Sequence, residues 1–203
     1  MNFEQNIFKE NDCCVFKKTK EKFGGLSNMA AGFNLKVNNV PILTTEALYQ
    51  VCRFPHLPMI QTNILKQKSP MAAKMVGKPF RSESRPDWEE VKVDIMRWCL
   101  KVKLAQNYFN FSTLLDSTKD FSIVEDSNKD DFWGAIRTKQ DKSVLKGRNI
   151  LGQLLEELRL FYRDNRNSMN LFVVEPLAIP DFKLLGKPIL QIDERSTIRR
   201  FKV

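Results

Sequence analysis

Two carboxylates stand out by their surroundings. Glu46 falls in the first turn of an expected helix and shares one face with Gln50 and Arg53 at i+4 and i+7. Free backbone N–H groups at such a position favour an ionised acid, hence a base or a stabiliser of positive charge. Asp130 falls in a loop, in Asp130-Asp131-Phe132-Trp133-Gly134. A pair of acids is the least equipment that hydrolyses a glycosidic bond: one stabilises positive charge at the anomeric carbon, the other activates water or moves a proton. Each also has a plainer reading, because a first-turn Glu complements a helix dipole and an Asp ahead of an aromatic forms turns.

Other groups suit a nucleotide. Lys146-Gly147-Arg148-Asn149 precedes a helix, so backbone N–H groups and two cations would meet a phosphate there. An Asn-capped helix start has the same pattern, and the spacing is not that of a Walker loop. Trp88 and Trp133 offer ring faces to a base, and Trp88 equally fits the apolar stripe of its own helix. His56, the only histidine, sits between prolines in Pro55-His56-Leu57-Pro58, which favours a turn over a nucleophile's partner. Cys13, Cys14, Cys52 and Cys99 have no metal-ligand spacing, and Cys52 and Cys99 read as buried thiols. No metal and no cofactor is expected.

The elements that must hold these residues are mostly helices. Residues 1–12 read as a loose polar arm, followed by a short strand at Cys13–Phe16 and a glycine turn at Phe23–Asn28. Alternation over Phe33–Val37, then Asn38-Asn39 and Val40–Leu43, predicts a hairpin. Thr44 or Thr45 caps a helix running to Phe54, another starts near Leu57, and Ser69-Pro70 opens a third. Asp87 and Glu90 form a capping-box pattern ahead of a long helix with Trp88, Val91, Ile95, Trp98 and Val102 on one stripe. A short helix over Phe109–Leu115, a buried strand at Phe121–Val124, a helix from Asn149 to Arg163 and a strand at Leu171–Val174 complete the pattern.

A length of 203 residues suits one domain. The expectation is a mainly α fold with a few short β-strands. The formal charge is +9, from 33 basic and 24 acidic residues, which favours polyanionic partners. No apolar run approaches the roughly 18–20 residues that cross a bilayer, and the first residues carry neither a basic nor an apolar leader region. The expected location is cytoplasmic, away from membranes.

Read together, the segments resemble the YbiA-like family, also called NADAR. The pieces occur in the family's order from Phe16 to Arg163. They are Phe23-Gly24-Gly25-Leu26-Ser27-Asn28, Thr45-Glu46-Ala47-Leu48-Tyr49-Gln50, Ser69-Pro70-Met71-Ala72-Ala73-Lys74, Trp88-Glu89-Glu90-Val91-Lys92 with Met96, Asp130–Gly134, and Gly147-Arg148-Asn149-Ile150-Leu151-Gly152. The resemblance implies a single multihelical domain over 13–165, with 166–203 as an extension packed on it or following it. It implies hydrolysis of a ribose C1–N bond, on phosphoribosylamino-pyrimidine intermediates of riboflavin synthesis or on ADP-ribose attached to guanine in nucleic acid. Glu46, Asp130 (rather than Asp131) and Trp88 match the family's catalytic positions. Phe23, Gly24, Ser27, Asn28, Gln50, Arg53, Trp133, Gly134, Gly147, Arg148 and Asn149 match positions expected to hold substrate.

Two positions depart from the pattern. Ala47 stands where the family often has His, and Arg53-Phe54 where it commonly has Lys-Phe. Arginine keeps the charge and clamps phosphate, but it cannot donate a proton or form a Schiff base at neutral pH. The basic balance and the added tail favour the ADP-ribosylated nucleic acid as substrate. The two departures keep open a non-hydrolysing reader of ADP-ribose or modified nucleic acid.

Overall fold

The computed structural model describes residues 4–199. In chain order its elements are β1 (Asn6–Lys9), β2 (Cys13–Phe16), β3 (Leu35–Val37), β4 (Val40–Ile42), α1 (Thr45–Cys52), α2 (Pro58–Leu65), α3 (Pro70–Gly77), α4 (Trp88–Gln106) and α5 (Tyr108–Asp116). There follow β5 (Ser122–Glu125), β6 (Ile136–Arg137), β7 (Val144–Gly147), α6 (Ile150–Asn165), β8 (Val173–Val174), β9 (Lys183–Leu184), β10 (Lys187–Pro188), β11 (Ile192–Asp193) and α7 (Arg195–Arg199). The fold is mainly helical with short strands. The chain forms two compact units, one from Met1–Ser27 and Phe109–Asp164, the other from Asn28–Tyr108 and Asn165–Val203. Among the described residues no helix is long and apolar enough to cross a membrane.

The second unit carries Glu46 and Trp88. Its β3–β4 hairpin turns on Asn38 and Asn39, both at positive φ (50° and 64°), the mirror-image turn that asparagine tolerates. Thr44 then caps α1 by accepting from the Ala47 N–H at 3.2 Å. All eight residues of α1 are buried, so the face bearing Glu46 and Gln50 looks into the protein rather than into water. Ser69 caps α3, as its Ser-Pro signal predicts.

The long helix α4 buries Trp88, Val91, Ile95, Trp98 and Val102 along the expected stripe. Its expected capping box does not form. Asp87 makes no side-chain cap, and its carboxylate instead takes Nε and Nη2 of the buried Arg85 at 2.5 and 2.9 Å. A buried guanidinium demands a counter-charge, and a bidentate ion pair outweighs one capping bond.

The extension belongs to this unit. β8 pairs with β11 and β9 with β10. The Trp98 indole donates to the Glu175 carbonyl, and the Gln61 amide bonds both Lys183 O and Leu185 N–H. A 3-10 turn occupies Met169–Phe172, so the expected strand at Leu171–Val174 is only β8. The basic cluster running to Lys202 lies outside the described residues beyond Arg199.

In the first unit β2 runs parallel to β5, and β1, β7 and β6 form an antiparallel sheet. The arm expected to be loose is therefore a strand from Asn6 onward. Phe8 packs against Val124, Ala135 and Leu145, which gives the segment an apolar anchor. Arg137 ties this region together through Glu10 and Asp126, and those two carboxylates hold the guanidinium above its ordinary pKa. Leu151, Leu154, Leu155 and Leu158 of α6 are buried, and Tyr162 is half-buried.

Candidate active site

In the second unit, α1 supplies an acid and an amide from one buried face, and the half-buried Arg53 follows at its C-terminal cap. Glu46 is 6% exposed. Its Oε1 accepts from Gln50 Nε2 at 2.9 Å, one helical turn on, and Lys74 Nζ of α3 stands 4.0 Å away. The Glu46 N–H donates to the Asn28 backbone carbonyl at 3.1 Å, which satisfies one first-turn donor. Asn28 Oδ1 and Thr45 Oγ1 are buried without a partner among the described residues. Orphaned acceptors of this kind are rare and mark places where a ligand or water completes the bonding.

Trp88 is held by two neighbouring side chains. The Arg53 guanidinium carbon lies 4.8 Å from its ring centre, and the Tyr49 ring meets it at 5.1 Å, tilted by 50°. Arg53 Nε donates to Ser84 Oγ at 2.6 Å. With only 5% of Trp88 exposed, the expected stacking of a base on this ring gives way to a wall that Arg53 and Tyr49 complete. Burial lowers the affinity of Arg53 for its proton, and burial with the Glu46 charge pushes the Tyr49 hydroxyl well above its usual range. Tyr49 therefore stays protonated. Lys74, Tyr49 and Ser84 were not singled out from the sequence, since helix phase alone does not reveal which residues of α3 and the 78–84 turn face α1.

The first unit presents a different arrangement. Asp130 Oδ1 accepts from Phe132 N–H at 3.1 Å and Trp133 N–H at 2.9 Å, so its carboxylate closes the loop on itself. Asp131 holds Gln5 Nε2 at 3.0 Å through its own carboxylate. The Phe132 and Trp133 rings meet edge to face, and Arg148 lies over Phe132.

The expected phosphate cradle at the start of α6 is not built. The N–H groups of Arg148, Asn149, Ile150 and Leu151 donate to the carbonyls of Asp131, Gly134, Phe132 and Trp133. Asn149 is 1% exposed, and its side chain accepts from Glu125 N–H and donates to Ile123 O. Gly134 and Gly147 are close-approach positions: a Cβ on Gly147 would lie 2.4 Å from Gly134 O, and one on Gly134 would lie 2.5 Å from Glu125 O. Gly134, Gly147 and Asn149 thus shape the loop.

Near the other end of the glycine turn, Phe23 is half-buried with Lys22 over its ring, and Ser27 is buried. Gly24 passes so close to the Lys18 carbonyl that a Cβ would lie 2.4 Å from it. Among the described residues no group of His, Cys, Asp and Glu side chains is placed to hold a metal.

The sequence profile of the NADAR domain matches residues 15–162. The N-glycosidase YbiA of Escherichia coli K12 is 33% identical over 144 residues, covering 71% of this chain and 84% of that protein. The chloroplastic riboflavin biosynthesis protein PYRR of Zea mays is 32% identical over 163 residues, which cover 74% of this chain and 25% of that much longer protein. The solution structure of E. coli YbiA superposes with a TM-score of 0.63 at 29% identity, over 76% of this chain and 88% of the other. The chain belongs to the NADAR family and is an enzyme of the hydrolase class that acts on N-glycosyl bonds.

Proposed function

We propose that the chain hydrolyses the bond between ribose C1 and a base nitrogen, and that its substrate is ADP-ribosylated guanine in nucleic acid. The observation that carries this reading is the Glu46 carboxylate: buried, oriented by Gln50, and accompanied by Lys74 and two orphaned acceptors. As the C1–N bond lengthens, positive charge grows at C1, and an anion in a dry site stabilises it far more than water does. Water then supplies the new C1–O bond, and its proton ends on the released nitrogen. Gln50 fixes the rotamer of Glu46, and the Arg53–Trp88–Tyr49 wall excludes water. Asp130 is the second carboxylate of the proposal. The loop engages its Oδ1, and its role is to activate water or shuttle the proton.

The net charge of +9 supports a polyanionic substrate. A second reading, hydrolysis of a phosphoribosylamino-pyrimidine, is favoured by the similarity to proteins named for riboflavin biosynthesis in Zea mays and Vibrio vulnificus. One assay separates them. The protein is offered an oligonucleotide carrying ADP-ribosyl-guanine and, separately, the pyrimidine riboside, and release of ADP-ribose or of the free amine is followed against salt. Release from the oligonucleotide that falls steeply with salt supports the first substrate. Salt-insensitive turnover of the riboside alone overturns it.

A further inference from the structure

A cavity of about 690 Å³ opens beyond the C-terminal end of α1, within the second unit. Pro55, Leu57, Pro86 and Pro180 give it apolar walls, and the exposed His56 also lines it. Seven residues of helical rise separate Glu46 from Arg53, about 10 Å, so one ribose cannot touch both ends of the helix. The cavity is nevertheless tied to the Trp88 wall. Ser84, in its lining, takes the Arg53 Nε bond, and the Arg85 N–H donates to the Arg53 carbonyl.

Its chemistry is specific. Arg85 lines the cavity at 3% exposure, with Nε and Nη2 bonded to Asp87 and Nη2 also to the Pro180 carbonyl at 2.6 Å. Its Nη1 is buried with no acceptor among the described residues. Leaving such a donor unmet is costly, and a ligand carbonyl would relieve it. Glu83, Asp87 and Asp181 also line the cavity. Arg85 holds the Asp87 carboxyl below its usual range, and Lys183 does the same for Asp181. Asp87 is paired with Arg85 and Asp181 with Lys183, so the lining offers a phosphate no unopposed cation and leaves the Glu83 charge against it. The three carboxylates accept from ring N–H and amino groups, so the matching ligand is flat, uncharged, and carries N–H donors beside a carbonyl.

We propose that this cavity is a base subsite for a lactam nucleobase. Guanine fits best, because its N1–H and amino group face one way toward a carboxylate while its O6 accepts from arginine. The inference rests on the nucleoside-type substrate proposed above and assigns it a second contact. Pro180 and Asp181 come from the extension, beyond residues 15–162 that match the family, so part of the lining lies outside the matched domain. A pocket of this size holds a nucleoside with room to spare.

Calorimetric titration of the full chain with guanosine, inosine and adenosine tests it. Guanosine is expected to bind, with inosine about fivefold and adenosine at least tenfold weaker. Ser82→Trp, which fills the mouth from an exposed position, and Glu83→Gln should each weaken guanosine by about tenfold with unchanged melting temperature. A guanine-containing single strand that outcompetes guanosine identifies the occupant as a neighbouring base. Guanosine binding as well as the strand shows that one base supplies the affinity, which also supports the subsite. No guanosine binding, equal binding of adenosine, or binding indifferent to both variants overturns the subsite. Loss of hydrolysis on every substrate with guanosine binding intact would sink the glycosidase reading and leave the subsite standing.

Discussion

At the scale of single residues, the account depends on Glu46 being a buried anion that Gln50 orients. Glu46→Gln keeps the size and a hydrogen-bonding tip, so the chain should fold normally while turnover falls by roughly 10²–10⁴. Asp130 separates shape from charge. Asn can accept the same two N–H bonds from Phe132 and Trp133, so Asp130→Asn should keep the melting temperature and lose turnover. Asp130→Ala should lose both, with about 1 kcal/mol of stability gone. Full activity in Asp130→Asn would reduce this residue to a turn former. The sequence marked Glu46 and Asp130 by type, spacing and resemblance. It did not show that α1 is buried on every side, because burial depends on what α3 and α4 bring, and Lys74 went unnoticed for that reason.

At the scale of elements, local signals were legible where backbone conformation is set by one or two residues. The paired asparagines of the β3–β4 turn, Thr44 and the Ser69-Pro70 start all act as their types predict. Signals that compete with distant partners misled. Asp87 serves Arg85 instead of the helix end, and the start of α6 feeds the carbonyls of residues 131–134 instead of an anion. The seat of α6 is tight: a Cβ on Gly152 would lie 1.9 Å from Ile123 O. Gly152→Ala should therefore cost about 1–3 kcal/mol or more in chemical denaturation.

Helix α4 carries a pH signature. Lys103 is fully buried, its Nζ lies 4.4 Å from the Phe33 ring centre, and burial pushes its pKa down to about 7. An unfolded lysine titrates near 10.4. Between about pH 7 and 10.4 the unfolded chain thus holds more protons, so stability rises with pH across that window and is lowest below it. Lys103→Met should remove this slope and stabilise the protein at pH 7 by about 1–4 kcal/mol. Equal slopes in urea melts of the two proteins at pH 7, 8.5 and 10 would contradict the assignment.

At the scale of the whole molecule, the extension is structural, which the sequence left open between packing and trailing. Its ties to Trp98, Gln61 and Arg85 are specific bonds. A chain ending at residue 165 should melt several degrees lower and expose Trp98, read by its fluorescence. The extension was hard to place because it lies outside the family pattern and its strands are only two residues each. The catalytic claim is tested most directly by one comparison. Wild type, Glu46→Gln and Asp130→Asn are incubated at equal concentration with an oligonucleotide bearing ADP-ribosyl-guanine, and freed ADP-ribose is quantified. The account predicts release by wild type and a loss of at least a hundredfold in both variants, with binding retained. Binding without release by wild type, unchanged in the variants, would contradict it and make the protein a reader.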